Sequence, residues 1–316
     1  MTGIRNDRQK TLAGHVTVNG IGVHSGNPVS MTLHPAPADN GVTFLIPSAD
    51  GSSDTELQAH WSEVSATALC TVLGRDPESI GTIEHLMAAL MGLGVDNVVV
   101  EVDAREVPIM DGSAAQYVEA IDQVGLLTQT KARRFIRILK PVRIEHNGSV
   151  SELRPYSGTR FDITIDFDTP LIGRQRFASD MTPDVFRNEL ARARTFGKVS
   201  EVEQLWKMGF AKGSSLENSV AIAEDRVLNP EGTRWPDEFV RHKTLDAVGD
   251  LSLAGYQILG EYRSYKPGHK MNHSMLVALF ADEDAYELVD GRPQREAAPV
   301  DFAGEIAVPA YCPEVA

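Results

Sequence analysis

The chain is poor in cysteine. Cys70 and Cys312 are the only two among its 316 residues, far apart and in no paired spacing. That excludes a disulfide framework and a zinc site closed by thiolates, and it suits a reducing cytoplasm. Long apolar runs are missing as well: the longest, Leu86 to Val95, covers about half a membrane span. Met1 to Lys10 is polar and mixed in charge, unlike a signal peptide. Positive charge is scarce. The chain has 30 basic and 44 acidic residues, a formal charge of −14, and no basic run denser than Lys131 to Arg134. This argues against a general nucleic-acid binder. An anionic small substrate would need its basic contacts concentrated locally, with Arg192, Arg194, Arg241, Lys243, Lys266 and Lys270 as candidates. There is no Gly-x-Ser-x-Gly elbow, and neither cysteine sits in a nucleophile motif.

What is present is the composition of an ordinary globular protein, 42% apolar and 23% charged. The length favours two domains, and the basic stretch before Phe135 places the boundary near 130, giving residues 1–129 and 130–316. Gly41 to Pro47, Val98 to Val102, Phe135 to Leu139 and the alternating Phe161 to Phe167 read as strands. Met275 to Phe280 and Glu305 to Val308 also look strand-like. Ile83, Leu86, Met87, Leu90 and Met91 recur at helical spacing, with Thr82 as a candidate N-cap and Gly92 and Gly94 at the end. Further helices are expected from Ala114 to Val124, from Pro183 to Arg194 and from Asp237 to Leu253. Both kinds of element occur in both halves without strict alternation, so the class is α+β.

Two short words carry the chemistry: Ile83-Glu84-His85-Leu86 and His242-Lys243-Thr244-Leu245-Asp246. On a helix with about 100° per residue, Asp246 and Asp250 fall roughly 40° and 80° from His242. His-x-x-x-Asp-x-x-x-Asp is then one polar stripe, and His and Asp four apart can converge on one ion. A solvated face with an i, i+4 ion pair gives the same pattern. Two imidazoles and a carboxylate can hold Zn²⁺ with one position open, and Glu84 then stands beside it as a candidate base; Fe²⁺ could use the same ligands. His269, in Lys266-Pro267-Gly268-His269-Lys270, could donate a proton to a leaving amine. The hydroxyl of Thr195 could stabilise an oxyanion. Gly20-Ile21-Gly22-Val23-His24-Ser25-Gly26 has the glycines of a phosphate loop, but no helix follows and a turn between strands fits better.

These words, in order, resemble the UDP-3-O-acyl-N-acetylglucosamine deacetylase family, the zinc amidases of lipid A biosynthesis. The match runs through Gly20 to Gly26, Leu33 to Ala38, Thr82 to Leu86, Gly92 to Asn97, Pro108 to Ala114, Ala193 to Gly197, Glu238 to Lys243, Leu245-Asp246, Gly249 to Leu251 and Gly268-His269. The resemblance implies two similar two-layer α/β sandwich domains packed with the active site between them. It implies Zn²⁺ on His85, His242 and Asp246, Glu84 as general base, His269 as general acid oriented by Asp250, and Thr195 on the oxyanion. Lys243 would contact substrate near the sugar or diphosphate, with Phe196 among the substrate contacts; Phe167, in Ile165-Asp166-Phe167, is the candidate near the sugar or base. An insert in the second domain, Lys198 to Leu216 with Val202 and Leu205, would line a passage for the fatty acyl chain. The implied reaction releases acetate from UDP-3-O-(3-hydroxyacyl)-N-acetylglucosamine, the committed step of lipid A synthesis. The expected partner is that small acylated UDP-sugar, with no nucleic acid and no transmembrane segment, and the chain is expected to act as a cytoplasmic monomer. A rival from another class is a non-catalytic nucleotide-sugar binder with a vestigial metal site. Without the resemblance, Val199, Val202, Leu205 and Trp206 would read as a helix docking on its own core.

Overall fold

Period-two and helical-period segments sort the chain into two mixed α/β sheet regions with a buried His/Asp cluster between them. A computed structural model describes residues 8–48, 54–224 and 226–291. The first sheet has five strands, in the order Val16–Ile21, Pro28–Pro35, Val98–Val102, Val42–Pro47, Asp54–Gln58. Val98–Val102 is its central strand, antiparallel to Pro28–Pro35 and parallel to Val42–Pro47. Its β-branched side chains are those a pleated, covered surface favours. A short pair, Arg8–Leu12 with Leu126–Ala132, forms a separate two-stranded sheet bridged to it through Thr11 and Asn97, just ahead of Val98.

The larger sheet has seven strands organised on Gln257–Tyr265. That nine-residue strand runs parallel to Arg134–Ile138 and Thr159–Asp166 and antiparallel to Ser149–Arg154. Tyr286–Asp290, Val142–His146 and Arg174–Asp180 complete it.

Among the described residues six α-helices accompany the sheets: α1 (Glu84–Leu93), α2 (Ala115–Val124), α3 (Pro183–Val185), α4 (Val199–Lys207), α5 (Glu238–Ser252) and α6 (His269–Phe280). The central pair is α1 and α5. Gly249 makes their crossing possible, because a β-carbon there would lie 2.0 Å from the carbonyl oxygen of Glu84. Leu86, Leu90, Leu245 and Val248 are buried on these two helices. Each such side chain contributes roughly 1.5–3 kcal/mol on full burial.

Three expectations need correction. Met275 to Phe280 is the end of α6, not a strand. Met275, Leu276 and Leu279 are buried on one face while Val277 is 42% exposed, and a six-residue apolar run cannot reveal that period by itself. The helix expected from Pro183 to Arg194 is one α turn, capped by the Thr182 hydroxyl, that widens into a π turn over Phe186–Leu190. The ring of Phe186 packs where a β-carbon on Gly92 would clash at 2.3 Å. Thr82 does not cap α1; its hydroxyl donates to Glu106, and its backbone is left-handed with φ 60°. Glu305 to Val308 and Cys312 lie outside the described residues. No helix among the described residues is long and apolar enough to cross a membrane.

Candidate metal centre

The first turn of α1 presents Glu84 and His85, and the middle of α5 presents His242, Asp246 and Asp250. Because the helices touch, side chains far apart in sequence converge. His85, His242 and Asp246 are all buried, with potential ligand atoms within 4.8 Å of one another. Asp246 Oδ1 lies 3.3 Å from His242 Nε2 and 3.5 Å from His85 Nε2. The polar face of α5, whose pattern a solvated helix would share, is therefore interior.

The donor set fits a cation. His242 Nδ1 bonds the carbonyl of Ala193 at 3.0 Å, and a carbonyl only accepts, so the proton is on Nδ1 and the Nε2 lone pair is free. Burial pushes the His242 pKa down to about 3, which keeps the ring neutral as a ligand must be. Asp246 Oδ1 and His85 Nδ1 are buried without a hydrogen-bond partner among the described residues. Burial alone would raise Asp246, but its basic surroundings, the Lys243 ammonium at 2.8 Å among them, outweigh it and hold the carboxyl well below its usual range. An anionic oxygen facing the Nε2 atoms of two imidazoles, with the His242 lone pair turned toward it, is an arrangement a divalent ion completes.

Beside the cluster runs a second chain of groups. Asp250 Oδ2 accepts from His269 Nδ1 at 2.8 Å and from Asn272 Nδ2 at 2.8 Å, while Oδ1 accepts from the Thr71 hydroxyl at 2.6 Å. His269 Nε2 points to Glu84 Oε1 at 3.9 Å. Burial disfavours charge on His269, but Asp250 and Glu84 together overcome it and raise its pKa to about 10. Burial also raises Glu84, with His269 and His85 acting against it. A carboxyl inclined to take a proton and an imidazole inclined to keep one thus share a small volume.

Other anticipated residues fall where their roles require less. Lys243 Nζ donates to Asp246 Oδ2 at 2.8 Å and lies 5.5 Å from the Phe196 ring. Phe167 packs on Phe196 at 5.7 Å, and Phe196 faces His242 at 6.1 Å. Thr195 is held by its backbone, donating to Gly112 O at 2.7 Å. Helix α4 buries none of its residues: Val202 and Leu205 are half-buried and Trp206 is exposed, as are Met208 and Phe210 just beyond it. The reading of α4 as a core-docking helix fails.

Besides Lys243, three basic candidates are already paired, Lys266 with Asp166 at 4.0 Å among them. Arg194 is buried against Glu238 and Glu231, and Arg241 bonds Asp237 and Glu189. Sequence reasoning missed Thr71 and Asn272. Thr71 contacts both carboxylates, its backbone N–H donating to Glu84 Oε2 at 3.1 Å and its hydroxyl to Asp250. Cys70 itself is buried, which with Glu84 pushes its thiol up to about 12 and leaves it inert. A cavity of about 460 Å³ lies by the other ends of α1 and α5, lined by Met87, Leu90, Met91, Arg133, Arg134 and Tyr256 among others. It holds none of the cluster residues, and its Arg133 is paired with Asp96.

Residues 9–281 match the model of the LpxC family, UDP-3-O-acyl N-acetylglycosamine deacetylase. The chain belongs to this family. Among its relatives are the UDP-3-O-acyl-N-acetylglucosamine deacetylases of Brucella ovis, Brucella canis and Brucella melitensis biotype 2. Each is 51% identical over 286 residues, which is 90% of this chain and 99% of the relative. The matched region takes in α1, α5 and His269, so the whole cluster lies inside it.

Proposed function

We propose that this protein is the deacetylase its relatives are named for, hydrolysing the acetamide of UDP-3-O-(3-hydroxyacyl)-N-acetylglucosamine and releasing acetate. The observation that carries the reading is the buried His85, His242 and Asp246 cluster in a chain 51% identical to those enzymes. Those three residues would hold Zn²⁺. When bound, the ion supplies Lewis acidity and makes water a nucleophile near neutral pH.

The remaining work falls to the chain. Glu84 takes the proton of the attacking water, a role its raised pKa favours. His269, kept protonated beside Asp250, gives a proton to the departing nitrogen. Thr195 donates to the oxyanion, and Lys243 with Phe196 and Phe167 orients the sugar and diphosphate. The exposed apolar groups of 198–216, with Val202 and Leu205, form the wall of an acyl passage; so many exposed apolar side chains in one short segment are what such a wall would need. We take the architecture as two similar two-layer sandwiches, 1–129 and 130–316, acting as a cytoplasmic monomer. The binding-only reading is disfavoured by Glu84, since ligation needs no carboxylate 3.9 Å from a charged imidazole.

The test is acetate release from the acylated nucleotide sugar by the purified protein, with and without a chelator. Release that is abolished by chelation and restored by Zn²⁺ is expected. Tight binding of the sugar without release would favour the rival.

A further inference from the structure

The glycine-rich stretch Gly20 to Gly26 has no part in the reaction above, yet it is folded around a charge. It forms the turn between strands Val16–Ile21 and Pro28–Pro35 and closes over the carboxylate of Glu106. His24 N donates to Oε1 at 2.8 Å and Ser25 N to Oε2 at 2.9 Å. A β-carbon on Gly22 would lie 2.2 Å from Oε2, so only glycine lets the turn come this near. The glycines resemble those of a phosphate loop because they serve the same purpose, wrapping backbone N–H groups around an anion; here the anion is built in.

Glu106 serves two elements. The Thr82 hydroxyl, from the turn before α1, also donates to Oε1 at 3.0 Å and shares that oxygen with His24 N. Thr82 holds its left-handed backbone just ahead of Glu84 and His85. The outer face of the glycine turn, meanwhile, carries the end of the insert. Lys212 N donates to His24 O at 3.2 Å, Gly213 N to Val23 O at 3.0 Å and Ala211 N to His24 Nδ1 at 3.4 Å. The Phe210 ring stands edge-on to His24 at 5.6 Å. A β-carbon on Gly213 would lie 2.4 Å from Gly22 O, so this contact too is backbone on backbone.

We infer that Glu106 is a positioning residue that ties the wall of the acyl passage to the turn launching α1. One buried carboxylate, 7% exposed, then sets both where a chain lies and how Glu84 is presented. The inference rests on the reading of 198–216 given above. All three donors to Glu106 are uncharged. Retaining a buried carboxylate on neutral donors is costly, and losing an acceptor strands those donors. Glutamine has nearly the same volume but a single acceptor oxygen, and its amide would point an N–H at a backbone N–H.

The test compares Glu106→Gln with the native, metal-loaded full chain. kcat and KM are measured on the acylated nucleotide sugar and on UDP-N-acetylglucosamine lacking the chain. The loss in kcat/KM should be at least tenfold larger on the acylated substrate, chiefly through KM, with zinc content unchanged. Thr82→Val cuts only the other side of the tie and should lower kcat on both substrates alike. Hydrogen exchange reads the tie without turnover: amides of 209–213 and of 83–87 should both exchange faster in Glu106→Gln. Equal losses on the two substrates, loss of zinc, or unchanged exchange in either segment would overturn the inference. A native protein that releases no acetate refutes the functional reading instead, while the exchange result still decides the tie. Should Glu106→Gln fail to fold, Gly213→Ala strains the same seam and must show the same loss of chain selectivity.

Discussion

Replacing Asp250 by asparagine removes one negative charge while keeping the shape and the acceptor for the Thr71 hydroxyl. The charge removed lies 2.8 Å from His269 Nδ1. Two unit charges about 4 Å apart at an effective dielectric of about 20 interact by about 4 kcal/mol. That corresponds to about 3 pKa units. Glu84 remains at 3.9 Å from the other ring nitrogen, so His269 keeps part of its support. The pKa of about 10 should therefore fall by about one to three units in the variant. If His269 is the proton donor, the high-pH limb of kcat/KM reports loss of its proton, and that limb should move to lower pH by the same amount. A bound cation lowers the absolute position in both proteins, so the displacement between them is the readout. Stability gives a second measure in the metal-free protein. A folded pKa raised from 6.5 to about 10 adds stability that is full below pH 6.5 and lost as pH rises through about 10. Native Tm should decline across that window more steeply than the variant's. A high-pH limb that stays in place in Asp250→Asn, with metal retained, refutes the assignment of His269 as acid.

Other expectations concern single groups. His242→Ala should lose metal and activity together, and full zinc occupancy by elemental analysis would remove His242 from the ligand set. Glu84→Ala should keep its metal and lose ~10²–10⁴ in rate, the usual worth of a general base; a loss below tenfold would exclude that role. Val202→Asp or Leu205→Asp should impair the acylated substrate selectively, since each buried methylene of the chain is worth ~0.8 kcal/mol. Equal impairment of UDP-N-acetylglucosamine would mean the segment only supports the fold.

The central part of the site was legible because both words sit on long helices with a clear period. His242, Asp246 and Asp250 follow from helical geometry, and His85 from its place in the first turn of α1. Burial was not legible. The polar stripe of α5 reads as a surface, and only packing against α1 makes it interior, with Asp246 and His242 almost fully covered. Thr71 and Asn272 escaped notice because their partners lie far away in sequence, and no local pattern marks a residue that serves a distant carboxylate. Thr82 misled for the opposite reason: a threonine before a helix is a good cap by local rules, yet its hydroxyl is taken by Glu106. The π turn at Phe186–Leu190 carries no local mark either; its Phe186 ring packs on the bare surface of Gly92, a contact far off in sequence.

Gly249 gives the helix crossing a further meaning. Alanine at an interior helical position is favoured over glycine by about 1 kcal/mol, so Gly249→Ala improves α5 as an isolated segment. In the folded chain the added methyl would meet Glu84 O at 2.0 Å and Ala88 N at 3.1 Å, forcing α1 and α5 apart. His85 rides on one helix, His242 and Asp246 on the other, so an ion held by all three acts as a clasp between distant stretches of chain. Helix spacing and metal affinity then become two handles on one equilibrium. Chelation should loosen the joint, and a substitution that wedges the joint should leak metal before any helix melts.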